Sequence, residues 1–208
     1  MKNQINISIL ILWFNQLFGL IGLIFIDFNL FSSLSPYSLL LTFFMVISIN
    51  TNISLKNFSY LFLIMIVSMG AEIIGVNYGV FFGSYYYGEN LGAKVFGVPI
   101  IIGLNWVFLT VSCGNISYYF FKNKLIYSIF FGSFLMLLFD ISIEPLSDSL
   151  DFWFFNDENL FYNYITWFIL GLLNQYIYLK FNSRKNILFS FHTYFSILLF
   201  FIILNISF

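Results

Sequence analysis

Charged residues are scarce in this sequence, and cysteine occurs only once. Charged residues make up 8% of the 208 residues, hydrophobic residues make up 61%, and the mean hydropathy is +0.93. Soluble globular domains carry about 25% charged residues, so this composition excludes that class and predicts an integral membrane protein. The single Cys113 excludes an internal disulfide and a cysteine metal cluster. A net charge of −1 gives no reason to expect a nucleic acid as partner.

Long apolar runs are what the sequence has in abundance. A bilayer core of about 30 Å needs roughly 20 apolar residues per helix. Because the runs are continuous rather than alternating, they favour helices over the strands of a barrel. The first run is longer than the apolar region of a signal peptide and ends without a small-residue cleavage site. We predict a single-domain (1–208), all-α transmembrane bundle of about seven helices, at 8–26, 37–55, 58–76, 98–119, 125–143, 162–180 and 187–206.

Basic residues predict the orientation of this bundle. Basic residues favour the cytoplasmic side of a membrane, and all of the eight lysines and arginines except Lys94 fall at the N-terminus or in the second, fourth and sixth loops. We therefore expect a multi-pass protein of the cell (inner) membrane with a cytoplasmic N-terminus; a chance distribution of so few charges is the alternative. The residues that set this orientation are Lys2, Lys56, Lys122, Lys124, Lys180, Arg184 and Lys185. Acidic residues of the opposite loops are Asp27, Glu89, Asp148, Asp151, Asp157 and Glu158.

Three carboxyl groups occur within or at the end of apolar runs: Glu72, Asp140 and Glu144. An ionisable group at such depth is costly, faces the bundle interior by default and is a candidate functional group. Glu72 and Asp140 lie 14 and 15 residues beyond the cytoplasmic starts of their runs, which predicts the same depth of about 21 to 22 Å at 1.5 Å per residue. Asp140 and Glu144 share one helix face because they are four residues apart. The alternative is that these acids cap or solvate the outer end of a helix.

Polar and aromatic residues enter the membrane at a similar depth. The fourth run carries Asn105 and Trp106 near its outer end, and the sixth run carries Asn163 and Trp167. Together with the acids, these residues predict one polar and aromatic pocket in the non-cytoplasmic half of the bundle. For the tryptophans, the alternative is a place in the interfacial aromatic belt.

The stretch AEIIGVNYGVFFGSYYYGEN (71–90) is unusually polar for a membrane segment. Its glycines Gly75, Gly79 and Gly83 are spaced by four and would form one bare helix face if the helix continued. Against that face, the rings of Tyr85–Tyr87 would form an aromatic wall. Polar groups at this depth are tolerated where the segment is buried in protein or lines a cavity.

Other catalytic constellations are missing from the sequence. His192 is the single histidine and lies near the cytoplasmic start of the last run, far from the acids, so we assign it a structural role. No set of His, Cys, Asp and Glu has the spacing of metal ligands. No serine in the half of the membrane that contains the acids has a histidine base, because His192 lies in the other half.

Three stretches of the sequence carry a recognisable set of motifs: AEIIGVNYGVFFGSYYYGENLGAKVFGVPIIIGLNW (71–106), DISIEPLSDSLDFWFF (140–155) and NYITWF (163–168). They resemble those of the membrane carotenoid hydratase family, which includes bisanhydrobacterioruberin hydratase and the hydratases of γ-carotene and lycopene ends. The resemblance extends over about 60–180, which is therefore the expected catalytic core. The first two runs and the last are generic apolar helices.

The resemblance implies addition of water across the terminal C1',2' double bond of an acyclic carotenoid end, without a cofactor. Glu72 is then expected to donate the proton and Asp140 to activate the water, with support from Glu144; the exchanged assignment of donor and base is also open. A buried neutral carboxyl can protonate an alkene, and an ionised one can deprotonate water. The implied partners are a lipophilic carotenoid that enters from the lipid bilayer, water, and other enzymes of the carotenoid pathway. Candidate substrate-binding residues are Tyr85, Tyr87, Asn105, Trp106, Asn163 and Trp167.

Three other functions are compatible with a membrane protein that contains buried acids. A proton-coupled transporter or channel also needs intramembrane carboxylates, although such proteins often have repeated halves and no repeat is detectable here. An isoprenoid-modifying transferase would need denser acidic clusters for magnesium and diphosphate. A structural membrane subunit is the third alternative.

Overall fold

The computed structural model describes residues 2–52, 54–122, 124–156, 160–181 and 186–208. Within these ranges the chain forms seven long helices and one short helix. The predicted all-α bundle of about seven helices is confirmed. The helices are α1 (Lys2–Ile21), the short α2 (Phe28–Ser33), α3 (Ser35–Asn50), α4 (Leu55–Tyr78), α5 (Ile100–Phe121), α6 (Leu125–Ile143), α7 (Phe161–Phe181) and α8 (Ile187–Ser207).

Six helices in the described part of the chain are long and apolar enough to cross a membrane. The remaining long helix, α7, is less apolar because it contains Asn163, Asn174 and Gln175, all of which are buried inside the bundle. Four of the residues used to predict the orientation lie outside the described residues, namely Asp157, Glu158, Arg184 and Lys185. The orientation therefore stays a prediction.

The first two membrane-spanning segments are joined by a sharp reversal. A single π-helical turn, Gly22–Ile26, follows α1, and Asp27 then caps α2 by accepting a 2.9 Å hydrogen bond from the backbone N–H of Leu30. A β-carbon at Gly22 would lie within about 2 Å of the Phe31 ring. Only glycine therefore allows α2 to pack back onto the end of α1.

Two small antiparallel ribbons occupy the loops that follow α4 and α6. The strands are β1 (Tyr85–Tyr87), β2 (Lys94–Val95), β3 (Val98–Pro99) and β4 (Trp153–Phe155), with β1 paired to β4 and β2 paired to β3. The glycine face predicted beyond Gly75 does not form, because α4 ends where Gly79 adopts a left-handed conformation with φ of 63°. The chain after Gly79 is then free to fold back over the end of the bundle.

Helix α5 is the centre of the bundle and packs against α3, α4, α6, α7 and α8. Near its C-terminal end, Asn115 donates hydrogen bonds to Asn50 and Ser190, at 2.7 and 2.8 Å, and accepts one from Tyr178 at 2.7 Å. This cluster ties four helices together at the end of α5 remote from the acidic residues. His192 accepts a 3.1 Å hydrogen bond from Trp13 and so links α8 to α1.

Close packing of α5 on α7 gives a first prediction. A β-carbon at Gly114 would lie 2.5 Å from Tyr178 Cδ1 and 2.7 Å from Gln175 Oε1, so we expect Gly114→Ala to destabilise the protein by about 1–3 kcal/mol through overpacking. Thermal unfolding in detergent measures this as a lowered midpoint. The matched control is Gly70→Ala in α4, because nothing lies within 4 Å of its added methyl group. Equal midpoints for the two variants would contradict the close approach of α5 and α7.

Candidate active site

A cavity of about 340 Å³ opens among the helices beneath the β1–β4 ribbon. Its walls combine a hydrophobic surface with a small number of polar groups, which is typical of small-molecule sites. The predicted site residues that line it are Glu72, Tyr85, Tyr87, Asn105, Asp140, Asn163 and Trp167. The structure therefore brings together residues from α4, α5, α6, α7 and the outer ribbon, which are far apart in the sequence.

Glu72 lies near the end of α4 and is only 3% exposed. Its Oε2 atom accepts hydrogen bonds from the hydroxyl groups of Tyr85, at 2.5 Å, and Tyr87, at 2.8 Å. Its Oε1 atom accepts a third hydrogen bond from the indole N–H of Trp106, at 2.9 Å. Burial disfavours the charged form of this carboxyl, and the three donors offset part of that cost, since hydrogen bonds to a charged group contribute about 1.5–3 kcal/mol each.

The ribbon brings the two phenol groups to Glu72. Side chains alternate between the two faces of a strand, so Tyr85 and Tyr87 are buried while Tyr86 between them is exposed and stacks on Phe154. The predicted aromatic wall thus contains Tyr85 and Tyr87 but excludes Tyr86. Pairing of Tyr85 with Phe155 and of Tyr87 with Trp153 holds the strand in place.

A second acidic group lies at the end of α6. Asp140 is 1% exposed, and its Oδ2 atom accepts a 2.8 Å hydrogen bond from the side-chain amide of Asn163. The same amide donates a longer bond of 3.4 Å to Glu144, which also accepts one from the indole of Trp153 at 3.2 Å. Within the described residues, the Oδ1 atom of Asp140 is buried without a hydrogen-bond partner. Asp140 is itself a residue of the cavity wall.

Two of the predicted residues support the site from behind the cavity surface. Trp106 is fully buried and stacks on Trp167, with ring centroids 3.9 Å apart, so that Trp167 reaches the cavity and Trp106 does not. Trp106 instead contacts Glu72, and its expected contact with the substrate stays a prediction. Glu144 likewise contacts Asn163 and Trp153, which line the cavity, and is not part of the wall itself.

Helices α1 and α3 contribute polar residues that the sequence analysis did not identify. Asn15, Gln16, Ser38 and Thr42 line the same cavity, and Asn15 donates a 2.6 Å hydrogen bond to the hydroxyl of Ser38. In the sequence, the two adjacent amide residues Asn15 and Gln16 within the apolar run LWFNQLFG indicated that this helix could face a polar site. They were overlooked because one or two polar residues are common in helices that face a protein interior.

No cation of the described residues pairs with the buried acids. The one ion pair in these ranges joins Lys94 to Glu89, at 2.7 Å, on the outside of the ribbon. Burial, followed by the negative charge of Glu72, raises the pKa of Tyr85 and of Tyr87 well above the usual value of 10. Both phenols therefore remain protonated hydrogen-bond donors at neutral pH. No group of three or more His, Cys, Asp and Glu side chains in the described ranges is arranged to hold a metal ion.

Comparison with known families adds one result to this geometry. The sequence model of the family described as carotenoid biosynthesis protein matches residues 34–208, which include every predicted site residue. No curated protein and no solved structure is measurably similar to the chain.

Tyr85 and Tyr86 provide a matched test of the Glu72 environment. We expect Tyr85→Phe to lower the free energy of unfolding by about 1–3 kcal/mol, because it leaves a buried acceptor with one donor fewer, whereas Tyr86→Phe should be close to neutral. Chemical or thermal unfolding in detergent measures both. A stability loss in Tyr86→Phe that equals the loss in Tyr85→Phe would contradict the inward direction of Tyr85.

The raised pKa values predict a pH dependence as well. Above about pH 10 the phenols of the unfolded chain release protons that the folded chain retains at Tyr85 and Tyr87, so stability falls as the pH rises. In the double variant Tyr85→Phe/Tyr87→Phe, the loss of stability between about pH 9 and pH 11 should be smaller than in the native protein. An unchanged loss would show that neither phenol is protected in the folded state.

Proposed function

The chain belongs to the carotenoid biosynthesis protein family, and from this premise we propose that it is a carotenoid hydratase. It adds water across the terminal C1',2' double bond of an acyclic end group of the lycopene or γ-carotene type. The observation that supports this function best is the pair of buried carboxyl groups, Glu72 and Asp140, which line one cavity and have opposite hydrogen-bonding environments.

Asp140 is the proposed proton donor. Protonation of an isolated alkene needs an acid close to the double bond in a dry environment. The Oδ1 atom of Asp140 has no competing partner in the described part of the chain, and Glu144 lies one helical turn away. When no cation compensates two neighbouring carboxyls such as Asp140 and Glu144, ionising the second is costly because its charge repels the first. The pair therefore retains one proton. Asn163 bridges the pair and holds it in position.

Glu72 is the proposed acceptor of the proton from the attacking water. Its three hydrogen-bond donors favour the ionised form, in which a carboxylate accepts only. This assignment exchanges the roles first expected for Glu72 and Asp140. After each turnover, the proton gained by Glu72 returns to Asp140 through the water of the cavity, so the enzyme is restored and the net change is the addition of one water molecule.

Aromatic rings support the cationic intermediate. Protonation at C2' leaves a positive charge on the tertiary carbon C1', and the face of an aromatic ring stabilises such a charge by about 0.5–2 kcal/mol. Trp167, Tyr85 and Tyr87 line the cavity. Stacking on Trp106 fixes the ring of Trp167, so its face is oriented before the substrate arrives.

The substrate is expected to enter from the bilayer between α1 and α3. Four cavity-lining residues of this region are also exposed on the outer surface of the bundle: Phe18, Leu34, Tyr37 and Leu41. The cavity volume of about 340 Å³ is at the lower end of the range for small-molecule pockets. It suits an end group, while the remainder of the polyene extends through this opening into lipid.

The reaction changes no oxidation state and needs no cofactor. Its proposed partners are the carotenoid, water and the lipid of the cell membrane, with other enzymes of the carotenoid pathway as candidate neighbours. The family match gives no support to a proton-coupled transporter.

Expression in a lycopene-producing bacterial host tests the activity. The native chain is expected to yield a carotenoid heavier by one water per hydrated end, whereas Glu72→Gln and Asp140→Asn should reduce the yield by at least about a hundredfold, as expected for the loss of an acid or base. Mass analysis of the pigments measures the product. The matched controls are Glu89→Gln and Asp148→Asn, which replace exposed acids. Both variant enzymes should remain active. Hydration that survives in both acid variants would exclude the mechanism.

Hydrogen exchange distinguishes the proton donor from the base. Membranes that contain the enzyme are incubated with lycopene in D2O, and deuterium in the recovered hydrocarbon measures protonation that is not followed by hydration. Asp140→Asn should abolish both exchange and hydration. Glu72→Gln should abolish hydration while exchange continues, since the cation that has gained a deuteron can still lose one of its own C–H protons to Asp140. The opposite pattern would favour Glu72 as the donor.

A further inference from the structure

Two side-chain amides in the cavity wall have no role in the steps described so far. Gln16 of α1 is 7% exposed and Asn105 of α5 is 8% exposed, and both line the cavity. Across the described residues, neither side-chain amide makes a hydrogen bond, although nearly all buried polar groups in proteins do. Each amide carries two N–H donors and one carbonyl acceptor.

A hydrocarbon end group cannot satisfy these amides. A polar group that loses its water to an apolar ligand and gains no other partner costs about 1–3 kcal/mol. A small ligand that both donates and accepts hydrogen bonds removes this cost. Water fits this description, and a polar site with several partners is where a buried water is stable.

We propose that Gln16 and Asn105 bind the water molecule that attacks the carbocation, which makes both of them positioning residues for the hydration step. The inference rests on the proposed hydratase function and adds a water site to it. The bound water gives one hydrogen to an amide carbonyl and accepts an N–H from the other amide. Its second hydrogen is directed to the carboxylate of Glu72, and its remaining lone pair faces the substrate.

The step balances with these groups alone. The alkene takes a proton from Asp140, and the cation forms at C1'. The oxygen of the held water then forms the new C–O bond, and its proton passes to Glu72. If no water is held in place, the cation loses a proton from an adjacent carbon to the carboxylate of Asp140 and returns to an alkene, either the original one or an isomer.

The position of Gln16 is fixed by the packing of α1. This helix contacts α8 and α3, and two hydrogen bonds anchor it within one turn before Gln16, from Trp13 to His192 and from Asn15 to Ser38. Gln16 lies in the part of the chain that precedes the family match, which begins at residue 34. The site is thus completed by a helix outside the matched region.

The test compares the two fates of the cation in membranes supplied with lycopene in D2O. We expect Gln16→Met and Asn105→Leu, which keep the side-chain size, to raise the ratio of deuterium exchange to hydration by on the order of tenfold, as the loss of one hydrogen bond predicts. The control is Gln4→Met on the exposed surface of α1, which should leave the ratio unchanged. Mass spectrometry of hydrocarbon and alcohol gives the ratio within each sample, so a lower amount of folded protein does not alter it.

The possible outcomes separate the two proposals. If the native enzyme forms no alcohol, the hydratase function is wrong. If it forms alcohol and both variants retain the native ratio, the hydratase function stands and the water site is wrong. A raised ratio in both variants, which come from different helices, supports the site. If one variant fails to insert into the membrane, the other decides the result.

Discussion

Burying carboxyl groups in an apolar bundle is the constraint on which the rest of this structure depends. In such surroundings a charge is tolerated only when hydrogen bonds replace the lost hydration. Glu72 receives these bonds from two phenols and an indole, which requires that a loop fold back over the bundle and that a tryptophan be directed inward from α5. Within the described part of the chain Asp140 receives one, from Asn163, and this inequality gives two similar side chains different chemical characters.

Sequence reasoning located the acids because their depth follows from the fixed rise of a helix. Counting residues from the cytoplasmic ends predicted that Glu72 and Asp140 share a level, and in the structure both line one cavity. The four-residue spacing that places Asp140 and Glu144 on one side of α6 was also readable, and Glu144 directly follows the last residue of that helix, Ile143. These features depend on local geometry, which a single sequence contains.

Features that depend on contacts between distant segments could not be predicted in the same way. The pairing of β1 with β4 joins residues about 70 positions apart in the sequence, and three-residue strands have no distinctive periodicity. Trp106 was expected on the cavity surface, but its place behind Trp167 follows from how α5 and α7 pack. Gln16 was overlooked because its importance arises from the cavity that it faces rather than from its neighbours in the chain.

The short β1–β4 ribbon also limits how this protein can vary in length. Residues pair one to one along it, from Tyr85 with Phe155 to Tyr87 with Trp153, and the face on which a strand residue lies alternates at every position. Inserting or deleting a single residue next to β1 and shifting its register by one would turn Tyr86 inward and both buried tyrosines outward. The two outer loops, although separate in sequence, can therefore tolerate length changes only away from these three paired positions.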